Sequence, residues 1–346
     1  MKIALLAPVW FPVPPTGYGG IEWVVSLLAD GLADAGHDVT LFASGDSRTK
    51  AELSFVYEIA PSAEIGRSQL EIRHALACFE RAAEFDVIHD HSGPPAAALA
   101  GAVATPTVHT VHGPLLGEPG DLYAQIARVA PRTRLVSLSL NQRAPHPELP
   151  WLANVPNALD FSVYPAEPQR GDYLLFLGRM SPEKGAHRAV AVALEAGVPL
   201  KIAGKRREPA ERQYFHELVE PHLREGRIEY VGEVTHAEKV ELLQNARATL
   251  FPIDWDEPFG LVMIESMACG TPVIGTRWGA VPEVIEDGRS GIIVEDWREF
   301  PSALERADLL DPVELRRYAE EHFSPQRMVA DYLDAYERTI ALRTLA

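Results

Sequence analysis

Residues 257–274 read Glu257-Pro258-Phe259-Gly260-Leu261-Val262-Met263-Ile264-Glu265-Ser266-Met267-Ala268-Cys269-Gly270-Thr271-Pro272-Val273-Ile274. The run 261–269 is apolar and favours helix, and Gly270 supplies a left-handed stop. Glu257 then sits in the turn before the helix, and Glu265 about one turn inside it. A helix entry presents unpaired backbone N–H groups with partial positive charge, which attract phosphate. Gly260 lets a ligand approach the backbone closely. With an anion at the helix mouth, one acid beyond it and one beside it are spaced to grip hydroxyls at the two ends of a sugar nucleotide. The segment 272–275 that follows reads as a buried strand.

Working outward, short apolar runs alternate with amphipathic ones along the whole chain. Strands are expected at 3–7, 38–43, 86–89, 107–111 and 134–138, and again at 173–177, 200–203, 228–231, 249–252, 272–275 and 291–294. Near-continuous apolar strands separated by helices indicate parallel sheets covered on both faces. Two such sets, divided by a stretch 156–170 that carries Pro156, Pro165 and Pro168, indicate two doubly wound domains. Helices are expected at 22–35, stopped by Gly36, at 238–246, and at 325–342 after the N-cap Ser324.

Composition limits the function. The chain has 346 residues, of which 47% are hydrophobic, enough for two packed cores. Its net charge of −17, from 49 acidic against 32 Lys and Arg residues, argues against nucleic acid, which needs a basic footprint. It argues equally against docking on an anionic membrane. Cys78 and Cys269 are the only cysteines, both in apolar helical stretches, and read as buried reduced thiols. Residues 1–7 are too short for a signal-peptide core, and Pro8, Pro12, Pro14 and Pro15 follow at once. No apolar run is long enough to span a bilayer. A cytoplasmic, soluble protein is expected.

Other constellations fall at strand ends. Gly17-Tyr18-Gly19-Gly20-Ile21-Glu22 precedes the first long helix. It misses the dinucleotide fingerprint, because Glu22 occupies the third Gly position and a Pro-rich loop of roughly ten residues separates it from the strand. Gly178-Arg179-Met180-Ser181-Pro182-Glu183-Lys184-Gly185 brings two cations to a loop at the carboxyl end of a strand, where ligands bind in such sheets. Fixed cations there would stabilise a departing diphosphate more than the ground state. His89-Asp90-His91 and Asp254-Trp255-Asp256 have the look of metal motifs. In the first, adjacent strand residues alternate faces and cannot all reach one ion; at the second, a metal would duplicate the charge stabilisation that Arg179 and Lys184 supply, so no metal is expected. His91 and Ser92 end one strand, and His112 stands at the mouth of the next, on the opposite face to Val111.

The 257–274 string resembles the signature of glycosyltransferase family 4. The first-domain glycines, the strand-end histidines and the Arg179/Lys184 loop follow in that family's order. The resemblance implies an α/β GT-B fold: two Rossmann-like, doubly wound parallel-sheet domains facing a cleft. The expected division is 1–165 for the acceptor-side domain, joined by the C-terminal helix 325–346, and 166–324 for the nucleotide-sugar-binding domain. It implies a retaining hexosyltransferase that takes a nucleotide-diphosphate sugar, with UDP-glucose favoured, as co-substrate and needs no metal or cofactor. Glu257, His112, Arg179 and Lys184 would be catalytic. Gly19, Gly20, Gly178, Phe259, Gly260, Leu261, Val262 and Glu265 would hold the donor, with Glu265 on the ribose and the amides at 260–262 on phosphate. His91, Ser92 and Ser139 would line the acceptor side. In this family the departing phosphate takes the acceptor's proton. Asn157-Ala158-Leu159-Asp160 resembles the family's hinge string with Ala158 in place of Gly.

The acceptor is expected to be a small soluble sugar, glycoside or metabolite, because the acidic first domain lacks the basic or amphipathic surface of a lipid-facing enzyme. Two other readings stand beside this one: a GT-B sugar-nucleotide epimerase, and a non-catalytic nucleotide-sugar-binding protein. A metal-dependent hydrolase built on His89–His91 is a third.

Overall fold

A computed structural model describes residues 1–17, 19–165 and 171–344. The chain divides into two compact units, Met1–Leu159 together with Pro325–Ala346, and Asp160–Ser324.

The first unit is built on seven strands: β1 (Lys2–Leu6), β2 (Asp38–Phe42), β3 (Glu52–Ser54), β4 (Val87–Asp90), β5 (Thr107–Thr110), β6 (Arg134–Ser137) and β7 (Trp151–Asn154). They form one sheet in the order β3-β2-β1-β4-β5-β6-β7, with every neighbouring pair parallel. The second unit has β8 (Tyr173–Leu177), β9 (Leu200–Ala203), β10 (Ile228–Gly232), β11 (Ala246–Phe251), β12 (Val273–Thr276) and β13 (Ile292–Val294). Its order is β10-β9-β8-β11-β12-β13, again all parallel. In each sheet the order reverses once, between β1 and β4 and between β8 and β11. A crevice forms at the carboxyl ends of strands where neighbouring connections diverge to opposite faces.

Every strand expected from the apolar runs is present, and the reason is burial on both faces. Residues Ile3 to Leu6, Ile88 and Val108 are fully buried. Two further strands, β3 and β7, lie at the edges of the first sheet. They are short and partly exposed, so they carry no apolar run. The helix expected at 22–35 runs Gly20–Asp34, that at 238–246 runs His236–Gln244, and that at 261–269 runs Leu261–Ala268. Thr235 and Glu238 form a reciprocal capping box at the second of these.

The first crossing between units falls at Leu159/Asp160, six residues before the expected 165/166. Two arginines bind the segments on either side of it. Arg327 donates to the carbonyls of Pro156 at 2.6 Å and Asn157 at 3.2 Å, binding that segment to the C-terminal helix Pro325–Thr344. Arg316 donates to the carbonyls of Phe161, Tyr164 and Ala268, binding the next segment to the second unit. Residues 166–170 of the proline-bearing stretch lie outside the described residues. Ala158 sits in ordinary backbone, since no described non-glycine residue has positive φ.

Helix Pro325–Thr344 belongs to the first unit. Its Val329 lies so close to helix Gly20–Asp34 that a Cβ at Gly31 would stand 2.6 Å from a Val329 methyl. Its Tyr332 and Tyr336 are buried against the ends of β4 and β5.

At the mouth of helix Gly20–Asp34 lies Glu22, only 4% exposed. A Cβ at Gly19, whose φ is 153°, would come within 2.9 Å of Glu22 Oε2 and 2.8 Å of Pro15 Cβ. Burial raises the Glu22 carboxyl from 4.5 to about 7, partly offset by its own backbone amide. The unfolded carboxyl ionises first, so between pH 4.5 and 7 the folded chain holds the extra proton. Stability is therefore full below pH 4.5, falls across that window and stays lower above it. Glu22→Gln keeps the shape and removes the ionisation. In urea unfolding at pH 8 the variant is expected to be more stable than wild type by about 3 kcal/mol, and at pH 4 to match it. Equal stability at pH 8 would refute the buried-carboxyl assignment.

Candidate active site

In the second unit the loops that follow β8 and β11 lie side by side where the strand order reverses. Lys184, from the first loop, donates to Glu257 Oε2 of the second. Both side chains are largely buried, and the ammonium also lies 4.7 Å from the centroid of the Trp255 ring. Arg188, one turn into the helix Ala186–Ala196, reaches back to the Pro252 carbonyl at 2.8 Å and to Asp254. A Cβ at Gly185 would overlap that same Pro252 oxygen, so only glycine lets the loops approach this closely. On the far side, a Cβ at Gly279 would overlap the Glu257 backbone, and Ala280 N donates to Glu257 O at 2.9 Å. Glu257 is thus fixed from both sides.

Three residues beyond Glu257, Gly260 caps the helix Leu261–Ala268, and no side chain bonds to its first turn. The amides at its mouth are therefore open to an anion. Glu265, on the next turn, accepts from the Tyr164 hydroxyl at 2.9 Å and from Lys239. Burial and the Glu265 charge hold the Tyr164 hydroxyl protonated well above the usual phenol range. The Tyr164 ring in turn meets His236 edge-on at 5.0 Å.

In the first unit, β4 and β5 end in a cluster of rings and carboxyl groups. His109 Nδ1 donates to Asp90 at 2.5 Å, and its Nε2 lies 2.7 Å from the Tyr123 hydroxyl. Asp90 also accepts from the Ser92 amide at 2.7 Å and hydroxyl at 2.6 Å. His89 bonds Tyr336 at 2.6 Å and Thr110 at 2.8 Å, and Thr110 bonds Tyr332 at 3.0 Å. His91 Nδ1 and His112 Nε2 are 2.9 Å apart. Gln142, on the turn after β6, donates to the carbonyls of Val111 and Gly113, both at 2.8 Å. These two carbonyls bracket His112 and fix its backbone. Burial pushes His112 down to about 3, with His109 adding to the effect.

The expected residues fare differently. Lys184 and Glu257 meet; Arg179 does not join them, being more exposed and 3.5 Å from Glu183. Gly178 continues the β8–β9 ladder, its amide bonding Ala203 O at 3.0 Å. The Phe259 side chain turns into the core. It is 2% exposed and packs edge-on against Phe323, because a ring next to the helix mouth gains more from the core than from water. Ser139 lies on the turn after β6. Its hydroxyl is buried and accepts from Gln142 N at 3.3 Å, capping a turn. Gly19 lies against the Glu22 carboxyl group, and Gly20 opens the helix behind it. Asp254 is bound by Arg188. Among the described residues, no group of three or more His, Cys, Asp and Glu has the geometry to hold a metal ion. Arg188, Gln142, Tyr164, Lys239 and Gly279 were missed. Only Gly279, in Trp278-Gly279-Ala280, left a local trace in the sequence.

Comparison with known proteins agrees with this architecture. The profile of Glycosyltransferase Family 4 matches residues 18–153, and that of Glycosyl transferases group 1 matches residues 162–321. A glycogen synthase of Mycobacterium tuberculosis is 28% identical over 374 residues, covering 92% of this chain and 89% of the relative. A phosphatidyl-myo-inositol mannosyltransferase of Mycolicibacterium smegmatis is 28% identical over 326 residues, covering 85% and 81%. Among solved structures, AviGT4, a glycosyltransferase involved in avilamycin A biosynthesis, has 28% identity and a TM-score of 0.72, covering 99% of this chain and 98% of that one. Two parallel-sheet units, one under each profile, and a structural relative matched from end to end lead to one conclusion: the chain is a glycosyltransferase of the family 4 type with the GT-B fold.

Proposed function

We propose that this glycosyltransferase is a retaining hexosyltransferase that moves a hexose from a nucleotide-diphosphate sugar to a hydroxyl of a small soluble acceptor. UDP-glucose is the first donor to test, with GDP- and ADP-sugars beside it. The observation that carries the reading is the Lys184–Glu257 pair next to the uncapped mouth of helix Leu261–Ala268. Lys184 and the mouth amides meet the diphosphate, whose charge rises as the glycosidic bond breaks. Glu257 accepts hydroxyls of the hexose, and Glu265 accepts those of the ribose. Arg179 serves the distal phosphate from its more exposed position, and His112 hydrogen-bonds the sugar near its reacting carbon. The departing phosphate takes the acceptor's proton, so no separate base is required. With Lys184 and the helix mouth supplying positive charge, no divalent ion is required either. The protein acts without stable membrane insertion; no described helix is long and apolar enough to cross a bilayer.

Calorimetry with UDP, GDP, ADP and their glucose conjugates tests the site. Lys184→Ala is expected to weaken binding of the bare nucleotide and to lower kcat on the order of 100-fold. Glu257→Gln, which keeps an acceptor for Lys184, is expected to lower kcat similarly while leaving bare-nucleotide affinity within about 2-fold. Wild-type turnover in Lys184→Ala would remove the clamp.

Glu265→Ala is expected to weaken the bound nucleotide about 10-fold or more, the worth of hydrogen bonds to a charged acceptor. The same nucleotide lacking its ribose 2′- and 3′-hydroxyls should bind wild type and variant alike. A difference that persists without those hydroxyls would refute the ribose role. Turnover is expected to survive a chelator, and its complete loss would restore a metal to the reaction.

A further inference from the structure

His91 and His112 meet nitrogen to nitrogen, and such a bond needs a proton on one side and a lone pair on the other. Burial holds His91 well below the usual imidazole range, and His112 is pushed down to about 3. Both rings are therefore neutral at pH 7, and each carries one proton. The second nitrogen of His91, Nε2, is sealed from solvent and has no hydrogen-bond partner. A proton there would be a buried N–H with nothing to receive it, which costs more than a bare lone pair. His91 therefore keeps its proton on Nδ1 and donates it to His112 Nε2. His112 has committed that lone pair, so its own proton sits on Nδ1. That nitrogen has no hydrogen-bond partner among the described residues, and the side chain is only partly buried.

Two further contacts hold this arrangement. The His89 ring, anchored by Tyr336 and Thr110, lies 4.0 Å from the His91 ring, centroid to centroid. Gln142 grips the backbone on both sides of His112.

We propose that His91 is a positioning residue for sugar transfer: by donating from Nδ1 it locks His112 as the Nδ1–H tautomer, so that His112 offers the sugar a hydrogen-bond donor and not a base. The inference rests on the reading of His112 as a sugar-facing group. A donor at that position stabilises an electron-rich oxygen and cannot remove a proton, which leaves the departing phosphate as the base.

Nitrogen-15 shifts of the histidine-labelled full chain read the tautomers directly and need no substrate. Protonated Nδ1 and bare Nε2 are expected on both His91 and His112, and a protonated Nε2 on His112 overturns the proposal. His91→Phe removes the donor, whereas His91→Asn keeps an amide N–H near the Nδ1 position. With the nucleotide sugar that binds in calorimetry, His91→Phe is expected to lose about 10-fold in kcat, the worth of one hydrogen bond, with KM for that donor within about 2-fold. His91→Asn is expected to recover most of the loss and to restore the Nδ1–H signal of His112. Wild-type kcat in a folded His91→Phe overturns the positioning role. If His91→Phe does not fold, the wild-type spectrum and His91→Asn decide. If the wild-type protein transfers no sugar, the functional reading falls while the spectrum still decides the tautomer.

Discussion

The bond between Lys184 and Glu257 joins two loops that are 73 positions apart in sequence but adjacent in the sheet. Each residue is a liability alone, since a largely buried ammonium or carboxylate without a partner is costly. Together they are satisfied, and the loops around them are built to the resulting spacing. Gly185 removes the side chain that would keep the loops apart, Arg188 ties their flanks, and Gly279 lets a third loop press on the Glu257 backbone. In the function proposed above, the same pair engages a phosphate and a hexose hydroxyl.

The first unit solves a different problem. Parallel strands end in polar residues that the helices above them bury. Here His89, Asp90, His91, His109 and Thr110 are all nearly inaccessible. With little water to help, they satisfy one another and the hydroxyls of Tyr123, Tyr332 and Tyr336. Only His91 Nε2 is left over in this group of rings. With that nitrogen sealed and His112 Nδ1 open at the other end, the hydrogen bonding between the two rings has a definite direction. That direction, and not proximity alone, gives His112 its character.

Much of this was legible in the chain. Buried parallel strands announce themselves as short apolar runs, which is why β1, β4, β5, β8 and β11 could be read without coordinates. The helix starting at Leu261 was legible from its apolar run and from Gly270, whose φ is 74°. Edge strands β3 and β7 were not legible, because Glu52 and Asn154 face partial solvent and break the apolar pattern. Prolines mark a bend locally and place the expected boundary six residues after the division between units; Arg316 and Arg327 bind the flanking segments through carbonyls more than 150 residues away, which no local pattern reveals. Phe259 and Ser139 are both buried, and sequence proximity to a strand end or helix mouth does not say which way a side chain turns. Partners such as Arg188, Gln142 and Lys239 matter only through distant contacts, and nothing local distinguishes them from other helical residues.

The tyrosine contacts of helix Pro325–Thr344 bear on how the polypeptide is made. Tyr336 completes His89, and Tyr332 completes Thr110. Yet 165 residues of the second unit, Asp160–Ser324, are translated in between. Domains usually fold in order as they leave the ribosome. Here the earlier-born sheet lacks the two tyrosine hydroxyls at its strand ends until residue 336 has emerged, so the first unit is completed only after the whole of the second has been made.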